Sequence, residues 1–187
     1  MAGRSNTLRI IGGEWRSRKL AFPDIDGLRP TPDRVRETLF NWLAPVISGA
    51  RCLDLFAGSG ALGLEALSRG AGEVVMLDRD MKVVRQLQDN LRLLKCEHGV
   101  VQQAEAQTFL ARPVDRTFDI VFLDPPYRKN LLAPCCELLA ANHWLSPQAR
   151  IYLELEKEAV LPALPAGWDL LRSKTAGQVA YHLALAG

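Results

Sequence analysis

The sequence predicts an α/β protein built on a mostly parallel, doubly wound sheet, with a small β-hairpin extension at its N-terminus and an antiparallel hairpin at its C-terminus. Three observations predict this. From Arg51 onward, short apolar runs alternate with stretches long enough to be crossover helices. A glycine-rich turn follows the first of those runs directly. The last two apolar runs stand too close together for a crossover and imply antiparallel pairing. At 187 residues, 48% hydrophobic and 24% charged, the chain has enough apolar residues for one sizeable core and little room for a second domain. The expected organisation is a basic hairpin extension over residues 1–30 and one α/β domain over residues 31–187.

Taken in order, residues 8–20 form two short segments around Gly12-Gly13, a hairpin signal. Thr31 is placed to cap a helix that has Pro32 at its first position, and Val35, Leu39, Trp42 and Leu43 then recur on one face. Strands are predicted over 51–56, 73–78, 99–103, 118–123 and 150–155, and helices over 61–69, 81–94, 104–111 and 131–141. Crossovers between parallel strands should be right-handed. Runs 168–173 and 178–185, separated by Lys174, Thr175, Ala176 and Gly177, read as the terminal hairpin.

Charge is unevenly distributed. Residues 1–22 carry Arg4, Arg9, Arg16, Arg18 and Lys19 against Glu14, a balance of +4, while the remainder sums to −2. Such an arm suits a phosphate backbone, and it equally suits a solvated surface. The four cysteines form no CxxC pair and share no ligand spacing with the three histidines, so reduced thiols and no metal site are expected. No apolar run approaches the roughly 18 residues of a membrane span, and no apolar segment follows the N-terminal charges, which points to a cytoplasmic protein.

Leu53-Asp54-Leu55-Phe56 is an apolar strand carrying one carboxylate, and Ala57-Gly58-Ser59-Gly60-Ala61-Leu62-Gly63 turns from it into a helix. In an open α/β sheet this junction lies at the carboxyl ends of the strands, where backbone amides point into a ligand crevice. The spacing satisfies GxGxxG, and Asp78 follows Gly60 by 18 residues, so a dinucleotide remains a reading. Asp54 leans the other way: an acid beside the turn suits a ligand with an ammonium group, such as S-adenosylmethionine, and disfavours a pyrophosphate. Asp78 is suited to a ribose or to capping the helix at 81–94, for which Asp80 would serve equally. Glu105 is suited to bordering an adenine or to capping the helix at 104–111. The cofactor contacts expected from this region are Asp54, Phe56, Ala57, Gly58, Ser59, Gly60, Asp78, Arg79, Glu105 and Ala106.

The fourth strand runs into Asp124-Pro125-Pro126-Tyr127 at the same crevice. This tetrapeptide answers a specific chemical problem. An exocyclic amine on a purine is a poor nucleophile because its lone pair is delocalised into the ring. Asp124 and the Pro125 carbonyl can accept its two hydrogens and direct the nitrogen lone pair at a sulfonium methyl. Neither prolyl nitrogen carries a competing hydrogen, and the two rings limit backbone freedom. Tyr127 can stack on a base taken out of its helix. Asp124, Pro125, Pro126 and Tyr127 are therefore the candidate catalytic residues.

These motifs resemble Rossmann-like class I methyltransferases that act on amino groups. Arg9-Ile10-Ile11-Gly12-Gly13, Arg16-Ser17-Arg18-Lys19-Leu20, Gly27-Leu28-Arg29-Pro30-Thr31, the run Asp33 to Leu43, the glycine loop, the DPPY segment and Ala176-Gly177-Gln178-Val179 look like the RsmD family of small-subunit rRNA guanine-N2 methyltransferases. That resemblance implies methylation of one guanine N2 in 16S rRNA, within an assembly intermediate, by a monomer using S-adenosylmethionine. It also favours Arg9, Arg16, Arg18, Lys19 and Arg29 as RNA contacts. Individually, Arg29, Arg34 and Arg36 are left between RNA contact, pairing with Glu37 and bracing of the glycine loop.

The competing readings differ in substrate. An adenine-N6 methyltransferase on DNA or RNA shares the DPPY chemistry, although a DNA enzyme ordinarily needs a target-recognition region that this length hardly accommodates. A protein-glutamine methyltransferase gives the basic arm no purpose. An NAD-dependent dehydrogenase needs a hydride-transfer site that the sequence does not offer, and a non-catalytic RNA-binding assembly factor predicts damage to motifs that are intact.

Overall fold

The computed structural model describes residues 6–187, and Arg4 of the basic arm lies outside them. Strands β1 (Asn6–Arg9) and β2 (Lys19–Phe22) form the antiparallel hairpin, and α1 (Asp33–Leu43) follows. The main sheet is built from β3 (Arg51–Asp54), β4 (Glu73–Asp78), β5 (Gly99–Gln103), β6 (Phe118–Leu123), β7 (Leu145–Glu156), β8 (Asp169–Ala176) and β9 (Val179–Leu185). Its crossover helices are α2 (Gly63–Ser68), α3 (Met81–Leu93), α4 (Ala106–Leu110) and α5 (Leu132–Ala141).

The strand order is β5-β4-β3-β6-β7-β9-β8; the first five strands are parallel, and β9 runs antiparallel to both β7 and β8. From β3 the chain winds outward to β4 and β5, then returns to lay β6 on the other side of β3. This reversal is the topological switch, where the carboxyl ends of β3 and β6 part and leave a crevice.

Side-chain alternation assigns the two faces of the sheet. Cys52, Val74, Met76, Ile120, Phe122 and Tyr152 pack with the hairpin, α1, α2 and α3, whereas Leu53, Val75, Leu77, Val121, Leu123, Ile151 and Leu153 pack against α4 and α5. In parallel register Asp54 pairs with Met76 and Phe122, and Phe122 pairs with Tyr152. Asp78, Asp124 and Glu154, each two residues farther on, continue the same face at the carboxyl edge of the sheet. One parity rule therefore gathers four carboxylates.

Several predicted boundaries change. The first sheet strand stops at Asp54, because the chain must already turn for the glycine loop. β7 starts at Leu145, before the predicted 150, and tolerates Pro147 through an irregularity in which Phe118 pairs with Leu145 but Ile120 pairs with Arg150. The terminal hairpin continues through Ala176 and turns on Gly177-Gln178, with Gly177 at φ +58° supplying the left-handed backbone that a two-residue loop needs.

Gly12-Gly13 is not a tight turn between strands. The pairing Asn6↔Phe22 to Arg9↔Lys19 leaves residues 10–18 as a loop that docks on α2. A Cβ on Gly13 would lie 1.9 Å from the Ser68 carbonyl oxygen, so these glycines serve a close approach between backbones. The fully buried Glu65 of α2 anchors the loop: it accepts the amides of Ile11 at 3.0 Å and Gly12 at 2.9 Å, Arg69 Nε at 2.9 Å and Arg36 Nη1 at 3.5 Å. Leu8, Ile10, Trp15, Leu20 and Phe22 of this segment are buried in the same cluster as α1 and the sheet. Glu65→Ala strands two guanidiniums and two amides, and the expected cost is about 3–5 kcal/mol, read as a lower urea midpoint at unchanged slope.

Candidate active site

The glycine loop leaves β3 at Asp54. Gly58 at φ +53° and Gly60 at φ +85° take backbone conformations that L side chains rarely adopt, and a Cβ on Gly60 would meet Leu64 at 2.6 Å and Leu87 at 2.7 Å. The loop is tied to the end of β4, because Ala57 N–H donates to the Leu77 carbonyl at 2.8 Å and Gly58 N–H to Asp78 Oδ2 at 3.0 Å. Phe56 is half-buried and Ser59 buried, its Oγ accepting Ala61 N–H at 3.3 Å.

Asp54 is 1% exposed; its Oδ2 accepts Gly63 N–H at 3.1 Å, while Oδ1 has no partner. Burial pushes its carboxyl up to about 7, against the pull of the Gly63 amide that bonds it and of the nearby Phe56 amide, which makes no hydrogen bond to it. An unpartnered buried oxygen beside a loop of positive φ fits a ligand ammonium group, so these residues fit S-adenosylmethionine. The alternatives for Asp78 separate cleanly: Asp80 caps α3 by accepting Lys82 N–H at 2.8 Å, and Asp78 instead receives the amides of Gly58 and Asp80. Burial raises Asp78, and those two amides oppose the rise. Exposed Arg79 accepts Gln103 through its backbone carbonyl at 3.1 Å. Glu105 caps α4, accepting Gln107 N–H at 3.0 Å, Thr108 N–H at 2.8 Å and Thr108 Oγ1 at 2.7 Å, with buried Ala106 at the first helical position. The Thr108 hydroxyl is the main cause that lowers the Glu105 carboxyl.

Asp124 follows β6 across the switch from the loop. Thr31 does not cap α1: the cap position falls on Pro32, which offers no side-chain acceptor, and Thr31 Oγ1 donates to Asp124 Oδ2 at 3.3 Å. Burial first, then the facing carboxyl of Glu154, holds Asp124 well above the usual carboxylate range. Pro125 is buried, whereas Pro126 and Tyr127 stand at the rim, Tyr127 being 49% exposed. A cavity of about 180 Å³ opens here, lined by Pro125, Pro126, Tyr127, Leu132, Glu154 and Leu155 among others.

The structure thus brings Asp54, the glycine loop and Asp78 to one side of the switch and the DPPY segment to the other. The arginines divide. Arg36 is 1% exposed and binds the Thr31 carbonyl at 3.0 Å, the Arg9 carbonyl at 3.0 Å and Asp33 at 2.6 Å, so it braces the segment that carries Thr31. Arg9 is exposed but paired with Asp33 at 3.0 Å, while Arg16, Arg18, Lys19, Arg29 and Arg34 are exposed. Sequence reasoning missed Glu154, although its signal, a single carboxylate in the apolar strand Ile151-Tyr152-Leu153-Glu154-Leu155, is the one that marked Asp54.

A seven-strand sheet with the observed order, a glycine loop after its first strand and DPPY after its fourth defines a class I methyltransferase. The family model described as conserved hypothetical protein 95 matches residues 8–185. The Escherichia coli (strain K12) protein named ribosomal RNA small subunit methyltransferase D is 56% identical over 179 residues, 96% of this chain and 90% of its own. Its namesake from Haemophilus influenzae is 51% identical over 179 residues, 94% of this chain and 92% of its own. The solved structure of the Escherichia coli protein yhhF superposes with a TM-score of 0.90 at 55% identity, covering 97% of this chain and 98% of that one. This chain belongs to the RsmD family. No helix among the described residues is long and apolar enough to cross a membrane.

The Asp54 carboxyl gives a pH prediction. Its folded value, about 7, lies above the ordinary 3.8, so folding takes up a proton between those limits and wild-type stability falls as pH rises through that window. Relative to wild type, Asp54→Asn should therefore gain stability from pH 4 to 7, measured by urea midpoints at several pH values. Parallel curves would place the Asp54 carboxyl elsewhere.

Proposed function

We propose that this chain transfers a methyl group from S-adenosylmethionine to the exocyclic N2 of a guanine in small-subunit ribosomal RNA, acting as a monomer in the cytoplasm on an assembly intermediate. The observation that carries this reading is the placement of Asp124-Pro125-Pro126-Tyr127 across the switch from a glycine loop that follows a buried carboxyl group with one unpartnered oxygen. The names of the relatives support the RNA, and the family resemblance together with the chemistry of the site supports the guanine N2.

S-adenosylmethionine, when bound, supplies a methyl group on an electrophilic sulfonium. Asp54 receives the ammonium end, Phe56 to Gly60 give the backbone an open approach, and Asp78 keeps acceptor capacity for the ribose hydroxyls. Arg79, Glu105 and Ala106 border the adenine edge. On the other side, Asp124 and the Pro125 carbonyl take the two hydrogens of N2 and turn its lone pair toward the methyl. Tyr127 stacks on the unstacked base, a contribution of about 1–3 kcal/mol. The exposed Arg16, Arg18, Lys19 and Arg29, with Arg9, follow the RNA backbone.

Labelled methyl transfer to protein-free small-subunit RNA, and to partly assembled subunits from cells lacking this protein, tests the reading when followed by nucleoside analysis. N2-methylguanosine in either substrate supports it; no label in both, with cofactor binding intact, sinks it. Asp124→Ala should lower kcat by about 10²–10³-fold while cofactor affinity stays at the wild-type value, because it removes a preorganised acceptor. Replacing Arg16, Arg18 and Lys19 together by alanine should weaken RNA binding and flatten its salt dependence, by roughly 0.7 in slope for each single-strand phosphate that is no longer neutralised. An unchanged slope removes the hairpin from the RNA interface.

A further inference from the structure

Glu154 is a buried carboxylate that this mechanism does not use. It is 4% exposed, and no cation pairs with it among the described residues. Such a group is costly unless hydrogen bonds compensate it. Its orientation is fixed by the Tyr152 hydroxyl, which donates to Oε1 at 2.9 Å within the core. The register Leu123↔Leu153 sets Asp124 and Glu154 side by side at the end of β6 and β7, and Glu154 lines the cavity beside Pro125, Pro126 and Tyr127.

Resting on the guanine-N2 reading above, we propose that Glu154 is the specificity-determining residue, accepting the N1–H of the target guanine while Asp124 and the Pro125 carbonyl accept the hydrogens of N2. Guanine presents N1–H and the N2 amine as adjacent donors, and two adjacent carboxyl groups present adjacent acceptors. Adenine presents a bare N1 acceptor at the corresponding edge, which leaves buried polar groups unpaired. Burial and the facing Glu154 carboxyl both hold Asp124 above the usual carboxylate range. As the N2–C bond forms and the S–C bond breaks, N2 becomes cationic and sheds one proton, which passes to solvent.

The test compares guanine with 2-aminopurine at the methylated position of small-subunit RNA, introduced by ligation and assembled with ribosomal proteins where protein-free RNA is not a substrate. 2-Aminopurine keeps the 2-amino group but has an acceptor at N1. Wild type should prefer guanine by about 10²-fold in kcat/KM. Glu154→Gln, whose amide can donate to N1, should lose rate on guanine, gain on 2-aminopurine and bring the preference below about 10-fold, with S-adenosylmethionine affinity unchanged. The missing O6 of 2-aminopurine affects both enzymes alike, so the change in preference isolates N1. If Glu154→Gln does not fold, Tyr152→Phe, which releases Oε1, should narrow the same preference several-fold. An unchanged preference, or an equal loss on both bases, overturns the role of Glu154. Absence of N2-methylguanosine with wild type instead overturns the methylation reading itself, and the two failures are told apart by that control.

Discussion

The structure depends on the burial of carboxylates at the carboxyl edge of a parallel sheet. Asp54, Asp124 and Glu154 stand at the carboxyl edge of three neighbouring strands on one face; Asp54 and Glu154 are nearly withdrawn from water and Asp124 is half-buried. Removing a charge from water is costly, and the chain offsets that cost with amides and hydroxyls rather than cations: Gly63 for Asp54, Thr31 for Asp124 and Tyr152 for Glu154. Offsetting with neutral donors leaves the carboxylates able to accept further hydrogens. A row of salt bridges at the same place would have satisfied them and closed the site to a ligand.

The N-terminal segment completes this edge. Glu65 fixes the hairpin loop to α2, and Arg36 ties α1 to the carbonyls of Arg9 and Thr31. From that brace Thr31 reaches Asp124, while Leu28 packs where a Cβ on Gly58 would stand, 2.8 Å away. The segment expected to carry RNA-facing arginines therefore touches both halves of the site. On the proposed reading, RNA seated on its exposed face would bear on a surface braced against Asp124.

The sheet was legible because parallel strands announce themselves as apolar runs, and the switch follows from where the chain winds back. Asp54, the glycine loop and DPPY were legible for the same reason, since each interrupts an apolar run at its end. Thr31 looked like a cap, but local capping chemistry lost to a partner 93 residues away. Gly12-Gly13 looked like a turn because close backbone approach and tight turning require the same residue. The choice between Asp78 and Asp80, and the role of Arg36, lay beyond sequence spacing: both depend on which neighbour occupies the nearest donor or acceptor. Glu154 carried a signal in its own strand, but only the pairing of β6 with β7 makes it a neighbour of Asp124.

The central claim is that methyl donor and target base meet across the switch between β3 and β6. A crystal structure with S-adenosylhomocysteine and a guanosine-containing RNA tests it most directly. The account predicts the donor's amino group against Asp54 Oδ1, and the guanine stacked on Tyr127 with N2 between Asp124 and the Pro125 carbonyl, facing the sulfur. A base seated outside the cavity behind DPPY, or an amino group bound away from Asp54, would contradict it.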